Sequence, residues 1–455
     1  CSELFPDDAW YESSLQFLLE TLIEEDIESD DLKMMLSMSK TKPKTRAECI
    51  GNDLGLSLGS GSLWHVVAQF EPRKLERMEV ASSAGKREVP KHLPKSPVNS
   101  IDSKAGIVIT STCDGKIRLY SHTKQQNGSR LGDQLSVLKQ KAGRNLVKFS
   151  LNGTKFYVLS SSRIGIWDTS TCKNIRSSEG DECPSCVSVC KNAVGKDFLI
   201  IGNDQGFCKL WDHLSSASVA SLSFHGHSSR ISKVSYVEDS GQQGGMFVSS
   251  SRDGRNLLWD ARKNDAPLYT MVSHDSWITD HKLFYLKGVP YMVCGSCDWT
   301  SSVWNLRTGT LKCTYDGHTS PVETVTSCTN ENADEVLIAS GDRDGQVHLW
   351  GESVDGSYSF GQTRAVLKYC SDAVLRVGYQ PLQNSLVACH GSNVVTCWDV
   401  GNQAGSRVLD LRCKAYCHAR QSFTACKLDP SAAFVHSGCA NGDVISWDLK
   451  TTLNI

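Results

Sequence analysis

A pattern of turn, apolar stretch and aromatic residue recurs eight times along this chain and restricts the folds open to it. Most copies have a glycine turn, then a short apolar run, then Trp followed by Asp. The aromatic residues, in chain order, are Tyr120, Trp167, Trp211, Trp259, Trp304, Trp350, Trp398 and Trp447. Successive copies lie 44 to 49 residues apart. A steady period of this size is typical of propellers and solenoids, in which each repeat is one supersecondary unit.

Within each repeat, the residues predict short β-strands and not helices. Residues 231–260 contain the runs ISKVSYV, MFVSSS and RNLLWD, and the last two are separated by Asp253-Gly254. An Asp-Gly pair suits a tight hairpin because glycine adopts a positive φ without steric cost. Eight such repeats predict an all-β propeller of eight blades, with seven blades as the alternative.

These features resemble the WD-repeat family of β-propellers from about residue 97 to the end of the chain. In that family, a buried network of His, Ser or Thr, Asp and Trp fixes the shape of each blade. The resemblance implies the following network residues: His227, Ser249 or Ser251, Asp253 and Trp259 in the fourth repeat; His274, Ser296, Asp298 and Trp304 in the fifth; His318, Ser340, Asp344 and Trp350 in the sixth. Because buried polar groups must be hydrogen-bonded, we expect these side chains to be structural.

Three repeats depart from this pattern. The first has Tyr120 in place of Trp, the second lacks the Asp of the turn, and the seventh has Ser392 where Asp is expected. We therefore expect those blades to be less rigid than the fourth, fifth and sixth.

The sequence predicts three parts. Residues 1–36 hold eleven acidic residues against the single base Lys33, and apolar residues at helical spacing predict an acidic helical arm. This arm is expected to pack on the propeller, to dock a partner or to dimerise. Residues 37–62 are predicted to form a flexible linker, and residues 63–455 are predicted to form the propeller. Within it, residues 63–80 are expected to supply the outer strand of the last blade and so remove an exposed edge.

Composition and motifs argue against several classes of protein. The formal charge is -2 and the pI is about 6.7, with no basic block, so nucleic acid is not expected as a ligand. No apolar run is long enough for a membrane helix. A phosphate-binding loop, a Gly-x-Ser-x-Gly elbow and a His-Glu-x-x-His helix are all missing from the sequence, which favours a non-enzymatic protein without a cofactor.

The nineteen cysteines mostly lie in apolar, strand-like runs. This usage predicts reduced thiols in the cytoplasm or the nucleus. Two Cys-x-x-Cys pairs, Cys183 with Cys186 and Cys294 with Cys297, have the gap of zinc knuckles. The pairs lie in different repeats, so buried thiols are favoured over a metal site.

Arginine and tryptophan concentrate at two loop positions of the fourth to sixth repeats. The expected protein-binding residues are Arg230 and Trp277, which stand three residues after their network histidines, and Arg252, Trp299 and Arg343 on the turns. These residue types carry much of the binding energy at protein interfaces, and arginine forks suit acidic or phosphorylated peptides. In the alternative interpretation, Arg252 and Arg343 only pair with Asp275, Asp316 or Asp342 nearby.

A second feature concerns Arg262. The run FVSSSRDGRNLLWDAR (247–262) resembles the box of substrate receptors of cullin-RING ubiquitin ligases, in which the arginine after Trp-Asp contacts the ligase's propeller adaptor. The next repeat places Arg307 at the matching position. Strand directions put both arginines on the face opposite Arg252. The main hypothesis is a non-enzymatic scaffold that binds proteins or peptides, and the alternative is a ligase receptor that binds its adaptor through Arg262 and Arg307.

Overall fold

The computed structural model describes residues 96–123, 130–161, 163–179, 183–191, 197–212, 221–237, 245–263, 266–328, 335–353, 360–380, 385–392, 394–400, 412–418, 422–429 and 434–448. The acidic arm (1–36), the linker (37–62) and the expected closing strand (63–80) lie outside the described residues, so these three expectations stay predictions.

The described residues form eight antiparallel sheets, here called blades 1 to 8 in chain order. Blades 1 to 4 comprise β1 (Val98–Lys104), β2 (Ile107–Thr112), β3 (Lys116–Thr123) and β4 (Arg130–Lys139); β5 (Leu146–Phe149), β6 (Lys155–Leu159), β7 (Arg163–Asp168) and β8 (Asn174–Glu179); β9 (Pro184–Lys191), β10 (Asp197–Asn203), β11 (Phe207–Trp211) and β12 (Ser221–His225); β13 (Ile231–Val237), β14 (Met246–Ser251), β15 (Arg255–Asp260) and β16 (Tyr269–Val272).

Blades 5 to 8 comprise β17 (Ile278–Leu286), β18 (Val289–Ser296), β19 (Ser301–Asn305) and β20 (Thr310–Tyr315); β21 (Val322–Ser327), β22 (Glu335–Asp342), β23 (Gln346–Ser353) and β24 (Thr363–Lys368); β25 (Val374–Gln380), β26 (Ser385–His390), β27 (Val394–Asp399) and β28 (Arg412–His418); β29 (Phe423–Leu428), β30 (Phe434–Cys439) and β31 (Val444–Asp448). The prediction of eight blades is confirmed, and the seven-bladed alternative is wrong.

Each blade follows from the local pattern of the chain. Runs of Val, Ile, Leu and Phe form the strands, and tight turns join neighbouring strands into a meander. The expected hairpin at Asp253-Gly254 joins β14 to β15, and Gly254 has a φ of 77°. The first strand of each blade is the inner one, because it packs on the first strands of the blades before and after it.

The hydrophobic core lies between neighbouring blades and not at one centre. Between blades 3 and 4, for example, Phe224 packs edge-on against Phe247 and Trp259, with ring centroids 4.9 and 5.5 Å apart. Similar apolar clusters fill the successive junctions from blades 1 and 2 to blades 7 and 8. Each blade therefore buries its faces only by stacking on its neighbours.

Blade 8 closes the ring on blade 1 with the same contacts that join blades 5 and 6. A side chain at Gly295 would meet Val322 of blade 6, and one at Gly438 would meet Val98 of blade 1. Likewise, Thr424 donates a 2.6 Å hydrogen bond to the carbonyl of Val98, as Thr279 does to the carbonyl of Val322. The described part of blade 8 has three strands, and its packing on β1 completes the ring.

Candidate protein-binding face

Blade 4 contains the complete polar network expected from the sequence. Nδ1 of His227 lies 2.9 Å from Oδ2 of Asp253, and its Nε2 lies 2.8 Å from the hydroxyl of Ser249. The indole N–H of Trp259 donates to the same hydroxyl at 2.9 Å. Of the two serines that the sequence left open, Ser249 belongs to the network, whereas Ser251 donates to the carbonyl of Ser229.

In blade 5, the hydroxyl of the network comes from an unexpected strand. Nδ1 of His274 lies 3.0 Å from Asp298, as predicted, but its Nε2 and the indole N–H of Trp304 both meet the hydroxyl of Ser302. Ser296, the expected residue, donates to the carbonyl of Ser276 instead. The expectation for Ser296 was wrong because a serine on β19, two residues before Trp304, reaches the same point between the two rings.

The assignment of Asp344 in blade 6 was also wrong. Asp342, fully buried at the end of β22, accepts from Nδ1 of His318 at 3.0 Å, while Asp344 is exposed. Ser340 and Trp350 occupy their expected places. The hydroxyl of Ser340 lies 2.7 Å from Nε2 of His318 and accepts from the indole N–H of Trp350 at 3.0 Å. When the repeats are compared, Asp342 stands two residues before the turn position that Asp253 and Asp298 occupy in their own blades. At this earlier position its side chain is buried in the blade.

The histidine hydrogen bonds set the charge of the network carboxylates. Burial alone would raise the pKa of Asp253 and Asp298, but the hydrogen bond from each histidine and backbone N–H donors outweigh it and lower both pKa values. Asp253 also accepts from the backbone N–H groups of Ser228 and Arg255, so it ties two loops of one face together.

Blades 2 and 7 depart from the pattern in different ways. In blade 2, the buried indole nitrogen of Trp167 has no hydrogen-bond partner among the described groups. In blade 7, Thr396 accepts from Trp398 at 3.1 Å and lies 3.2 Å from Nε2 of His390. Sequence reasoning missed this substitute network, although a histidine at the end of the second strand was its visible signal.

The loops and turns that carry the predicted Arg and Trp residues are joined in pairs by backbone hydrogen bonds on one face. The backbone N–H of Arg252 donates to the carbonyl of Arg230 at 2.9 Å, and that of Arg343 donates to Pro321 at 3.0 Å. In blade 5, the N–H of Cys297 makes the same bond to Trp277 at 2.9 Å. The loop before each inner strand therefore lies beside the turn between the second and third strands of the same blade.

Side chains then connect these pairs across the blades. The guanidinium of Arg252 lies over the ring of Trp277, 4.4 Å from its centroid, and Arg230 forms a 3.2 Å ion pair with Asp204. Arg343 forms an ion pair with Glu323, and Asp342 is bound to His318. Among the described contacts, Arg252 and Arg343 therefore do not form the alternative pairs with Asp275, Asp316 or Asp342.

Trp299 has an unfavourable backbone conformation on this face. Its φ is 72°, and the equivalent turns of other blades have glycine there: Gly115, Gly206, Gly254, Gly345 and Gly442, with φ between 77° and 92°. A left-handed conformation costs a bulky residue about 1–2 kcal/mol. Even so, 51% of Trp299 and 43% of Trp277 are exposed, so neither ring is used mainly for packing within the propeller.

Arg262 and Arg307 lie at the other end of the strands. Arg262 follows β15 and holds Asp260 with two hydrogen bonds, of 2.9 Å from Nε and 2.8 Å from Nη2, while 55% of its side chain stays exposed. This hydrogen bonding lowers the pKa of Asp260. Arg307 donates to the carbonyl of Gly288 at 3.4 Å. The two arginines belong to a separate surface from Arg252 and Arg343.

Among the described residues, one group could offer three metal ligands: His318, Asp342 and His348. Two of these form the blade 6 network, and His348 bonds to the hydroxyl of Tyr315 at 2.7 Å, so the group is explained by blade packing. The buried Cys294 lies 3.0 Å from the hydroxyl of Ser302. The described residues contain no helical segment with the length and hydrophobicity of a membrane span.

A family model of the WD domain, G-beta repeat, matches residues 218–260 and 309–351. The chain is 25% identical over 207 residues to kinesin-like protein KIF21B of Homo sapiens, and this match covers 45% of this chain and 12% of that protein. It is 25% identical over 302 residues to nuclear distribution protein nudF of Aspergillus niger, and this match covers 56% of this chain and 65% of that protein. The chain thus spans less than two thirds of the length of either relative.

Solved structures are similar in fold. Sqt1 of Saccharomyces cerevisiae has a TM-score of 0.64 at 14% identity, covering 78% of this chain and 96% of that one. The computationally designed protein Ika8 has a TM-score of 0.60 at 20% identity, covering 78% and 97%.

Proposed function

Because this chain belongs to the WD-repeat β-propeller family, we propose that it is a non-enzymatic scaffold of the cytoplasm or nucleus that binds proteins through the face of blades 4 to 6. We call the residues Arg230, Arg252, Trp277, Trp299 and Arg343 the Arg/Trp face. Its ligand is an acidic or phosphorylated peptide segment of a partner protein. The blades of this family commonly carry such interactions, whereas fold alone identifies no partner.

The observation that carries the proposal is the conformation of Trp299. An exposed tryptophan at a position that five other blades give to glycine is costly for folding, and such outliers concentrate at functional sites. Beside it, Arg252 already lies on Trp277, which holds one cation in place over an exposed ring. Preorganised arginine and tryptophan side chains bind at a low cost in conformational entropy.

Charge supports an anionic ligand. The three arginines of the Arg/Trp face lie on blades 4 and 6, and two of them have acidic partners, Asp204 and Glu323. Arg252 contacts an aromatic ring, so its five N–H donors can serve a carboxylate or phosphate. The half-exposed guanidinium of Arg343 can exchange Glu323 for a phosphate, because exposed ion pairs are weak.

The test is a peptide array of acidic and phosphorylated sequences probed with the purified chain, followed by titration of the strongest binders. The double variant Arg230→Glu, Arg343→Glu should bind at least about tenfold more weakly. The matched control, Arg163→Glu with Lys173→Glu, changes the charge equally on exposed residues of blade 2 and should bind normally. Circular dichroism of both variants should retain the β spectrum. Equal binding by the folded Arg230→Glu, Arg343→Glu variant and the intact chain would refute the proposal.

A second candidate function is that of a substrate receptor of a cullin-RING ubiquitin ligase. It is favoured by the two hydrogen bonds through which Asp260 fixes the exposed Arg262, and by the matching position of Arg307 in the next blade. Purified ligase adaptor should then bind the intact chain, and Arg262→Ala with Arg307→Ala should weaken that complex without affecting peptides on the Arg/Trp face. Absence of any complex with the intact chain would rule this candidate out.

A further inference from the structure

The inner strands of the propeller carry an excess of positive charge. The eight strands β1, β5, β9, β13, β17, β21, β25 and β29 contain seven lysines or arginines and three acidic residues. This contrasts with the formal charge of -2 for the whole chain. Because inner strands surround the channel of a propeller, the excess is concentrated at the centre of the ring.

Two buried carboxylates organise these cations. Asp280 of blade 5 lies 2.7 Å from Nζ of Lys233 in blade 4 and 3.4 Å from Nη1 of Arg376 in blade 7. Asp102 of blade 1 lies 3.3 Å from Nζ of Lys148 in blade 2 and 3.3 Å from Nζ of Lys427 in blade 8. A single carboxylate thus contacts cations from the blades on both sides of it, and Arg376 reaches past blade 6.

The negative charges are already occupied by hydrogen bonds. Asp280 also accepts from the hydroxyl of Thr324 at 3.1 Å and the backbone N–H of Val325 at 3.2 Å. Asp102 accepts from the backbone N–H of Phe149 at 2.9 Å. Both side chains are 5–6% exposed, whereas Arg376 is 46% exposed. The carboxylates therefore hold the cations in place without neutralising all of them.

Lys282 adds a fifth cation to the group. The five cations, Lys148, Lys233, Lys282, Arg376 and Lys427, face two carboxylates, which leaves an excess of three positive charges. Burial, Arg376 and Lys282 lower the pKa of Lys233 to about 8 despite Asp280. Lys148, burial and Arg376 lower that of Lys427 to about 8 as well. Like charges thus lie close enough to repel one another.

A cavity of about 520 Å³ opens beside these cations, on the inner strands of blades 3 to 5. Its lining includes Lys191, Lys233, Lys282, Ser188, Ser235 and His281. Lysine ammonium groups and serine hydroxyls are donors that suit phosphate oxygens, and a cavity of this volume is in the range of small-molecule sites.

We propose that the central channel binds a compact polyanion with clustered phosphates, of the inositol polyphosphate class. Its phosphates contact Lys233, Lys282 and Arg376 and neutralise the excess charge that the two carboxylates leave. The ligand would join the inner strands of blades 4, 5 and 7 and so stabilise the closed ring. This site is separate from the Arg/Trp face and does not depend on the proposed function.

The probe is inositol hexakisphosphate, titrated into the full chain by calorimetry at physiological salt. One molecule should bind per chain, and Lys282→Gln with Arg376→Gln should lower the affinity at least about tenfold. The control, Lys312→Gln with Lys368→Gln, removes two positive charges from the outer strands β20 and β24 and should leave the affinity unchanged. If the channel double variant fails to fold, Lys282→Gln alone tests the same contact, because this side chain is exposed.

Proton linkage gives an independent measurement on the unaltered chain. A bound polyanion raises the pKa of Lys233 and Lys427, so binding of inositol hexakissulfate, whose sulfates do not titrate near pH 8, should take up protons, and the apparent enthalpy should vary with the ionisation enthalpy of the buffer. The Arg230→Glu, Arg343→Glu variant should bind inositol hexakisphosphate normally, which separates this site from the Arg/Trp face.

Three results would overturn the proposal: no binding of inositol hexakisphosphate, equal affinity of the folded channel variant, or binding of the hexakissulfate without proton uptake. Vesicles containing phosphatidylinositol 4,5-bisphosphate distinguish a membrane source of the same phosphates. If the chain bound these vesicles through Lys282 and Arg376 but did not bind the soluble probe, the ligand would be a lipid headgroup and the soluble ligand proposed here would be wrong.

Discussion

Blades 4 and 2 have the same aromatic packing but differ in their polar network. In blade 4, Trp259 stacks on Phe247 with centroids 6.1 Å apart, and in blade 2 Trp167 stacks on Phe156 at 6.3 Å. Only Trp259 donates its indole N–H to a network, since that of Trp167 has no partner among the described groups. The apolar stack is therefore enough to form a blade, and the network has a further purpose.

That purpose is visible in the loops that the network holds. Asp253 accepts from the backbone of Ser228 in one loop and of Arg255 after the turn. These two segments carry Arg230 and Arg252, which belong to the Arg/Trp face. Networks of this kind are complete in blades 4, 5 and 6, the same blades that present the exposed arginines and tryptophans. The comparison indicates that the networks fix the binding loops as well as the blades.

The largest expected effect is in blade 6. Asp342→Ala leaves Nδ1 of the buried His318 without its acceptor and removes the acceptor of two backbone N–H groups, those of Asp344 and Gln346. The free energy of unfolding, measured with urea, should fall by about 1–3 kcal/mol.

Asp344→Ala is the matched control, because this exposed carboxylate stands only two residues away. It should change the free energy of unfolding by no more than about 0.5 kcal/mol. If the two variants were equally stable, the network of blade 6 would not depend on Asp342.

A smaller effect should distinguish blades 4 and 2 directly. Trp259→Phe and Trp167→Phe remove similar apolar volume, but only the first breaks a hydrogen bond, to Ser249. Chemical denaturation should therefore show Trp259→Phe to be more destabilising by about 1 kcal/mol. Equal losses of stability would mean that the indole hydrogen bond contributes nothing measurable.

The smallest effect should appear only in acid. Asp253 has a folded-state pKa below its ordinary value of 3.8, so the stability that it contributes is complete well above that pH and is lost as the pH falls. The Tm of the intact chain should drop between pH 5 and pH 3. The Tm of the Asp253→Asn variant, which cannot titrate at this position, should drop less. Parallel curves would contradict the assigned role of Asp253.

Much of this architecture follows from the repeat. The period of the aromatic residues predicts the eight blades, and the Asp-Gly turn predicts the hairpin between β14 and β15. The exact network residues do not follow, because Ser302 and Asp342 contact the histidines that Ser296 and Asp344 were expected to contact. Spacing identifies a candidate side chain, but only its direction from the strand decides which hydroxyl or carboxylate fits.

The cations of the channel were not predicted for a related reason. Asp280 and Arg376 are 96 residues apart and belong to blades that are not neighbours in sequence. Their contact depends on the closure of the ring, which no local pattern of the chain describes. The left-handed conformation of Trp299 was not predicted either, because a tryptophan does not itself indicate a positive φ. Its cost becomes clear when the structure places Trp299 at the position that glycine occupies in other blades.

The most direct test of the account is Trp299→Gly, measured for both stability and peptide binding. Glycine relieves the left-handed conformation, which favours the variant by about 1–2 kcal/mol, whereas the freedom of glycine in the unfolded chain and the loss of the half-buried ring oppose this gain, so the free energy of unfolding should change by no more than about 1 kcal/mol. Binding of the strongest peptide on the Arg/Trp face should weaken at the same time. A variant that keeps its stability and binds as well as the intact chain would contradict the claim that Trp299 is kept for binding.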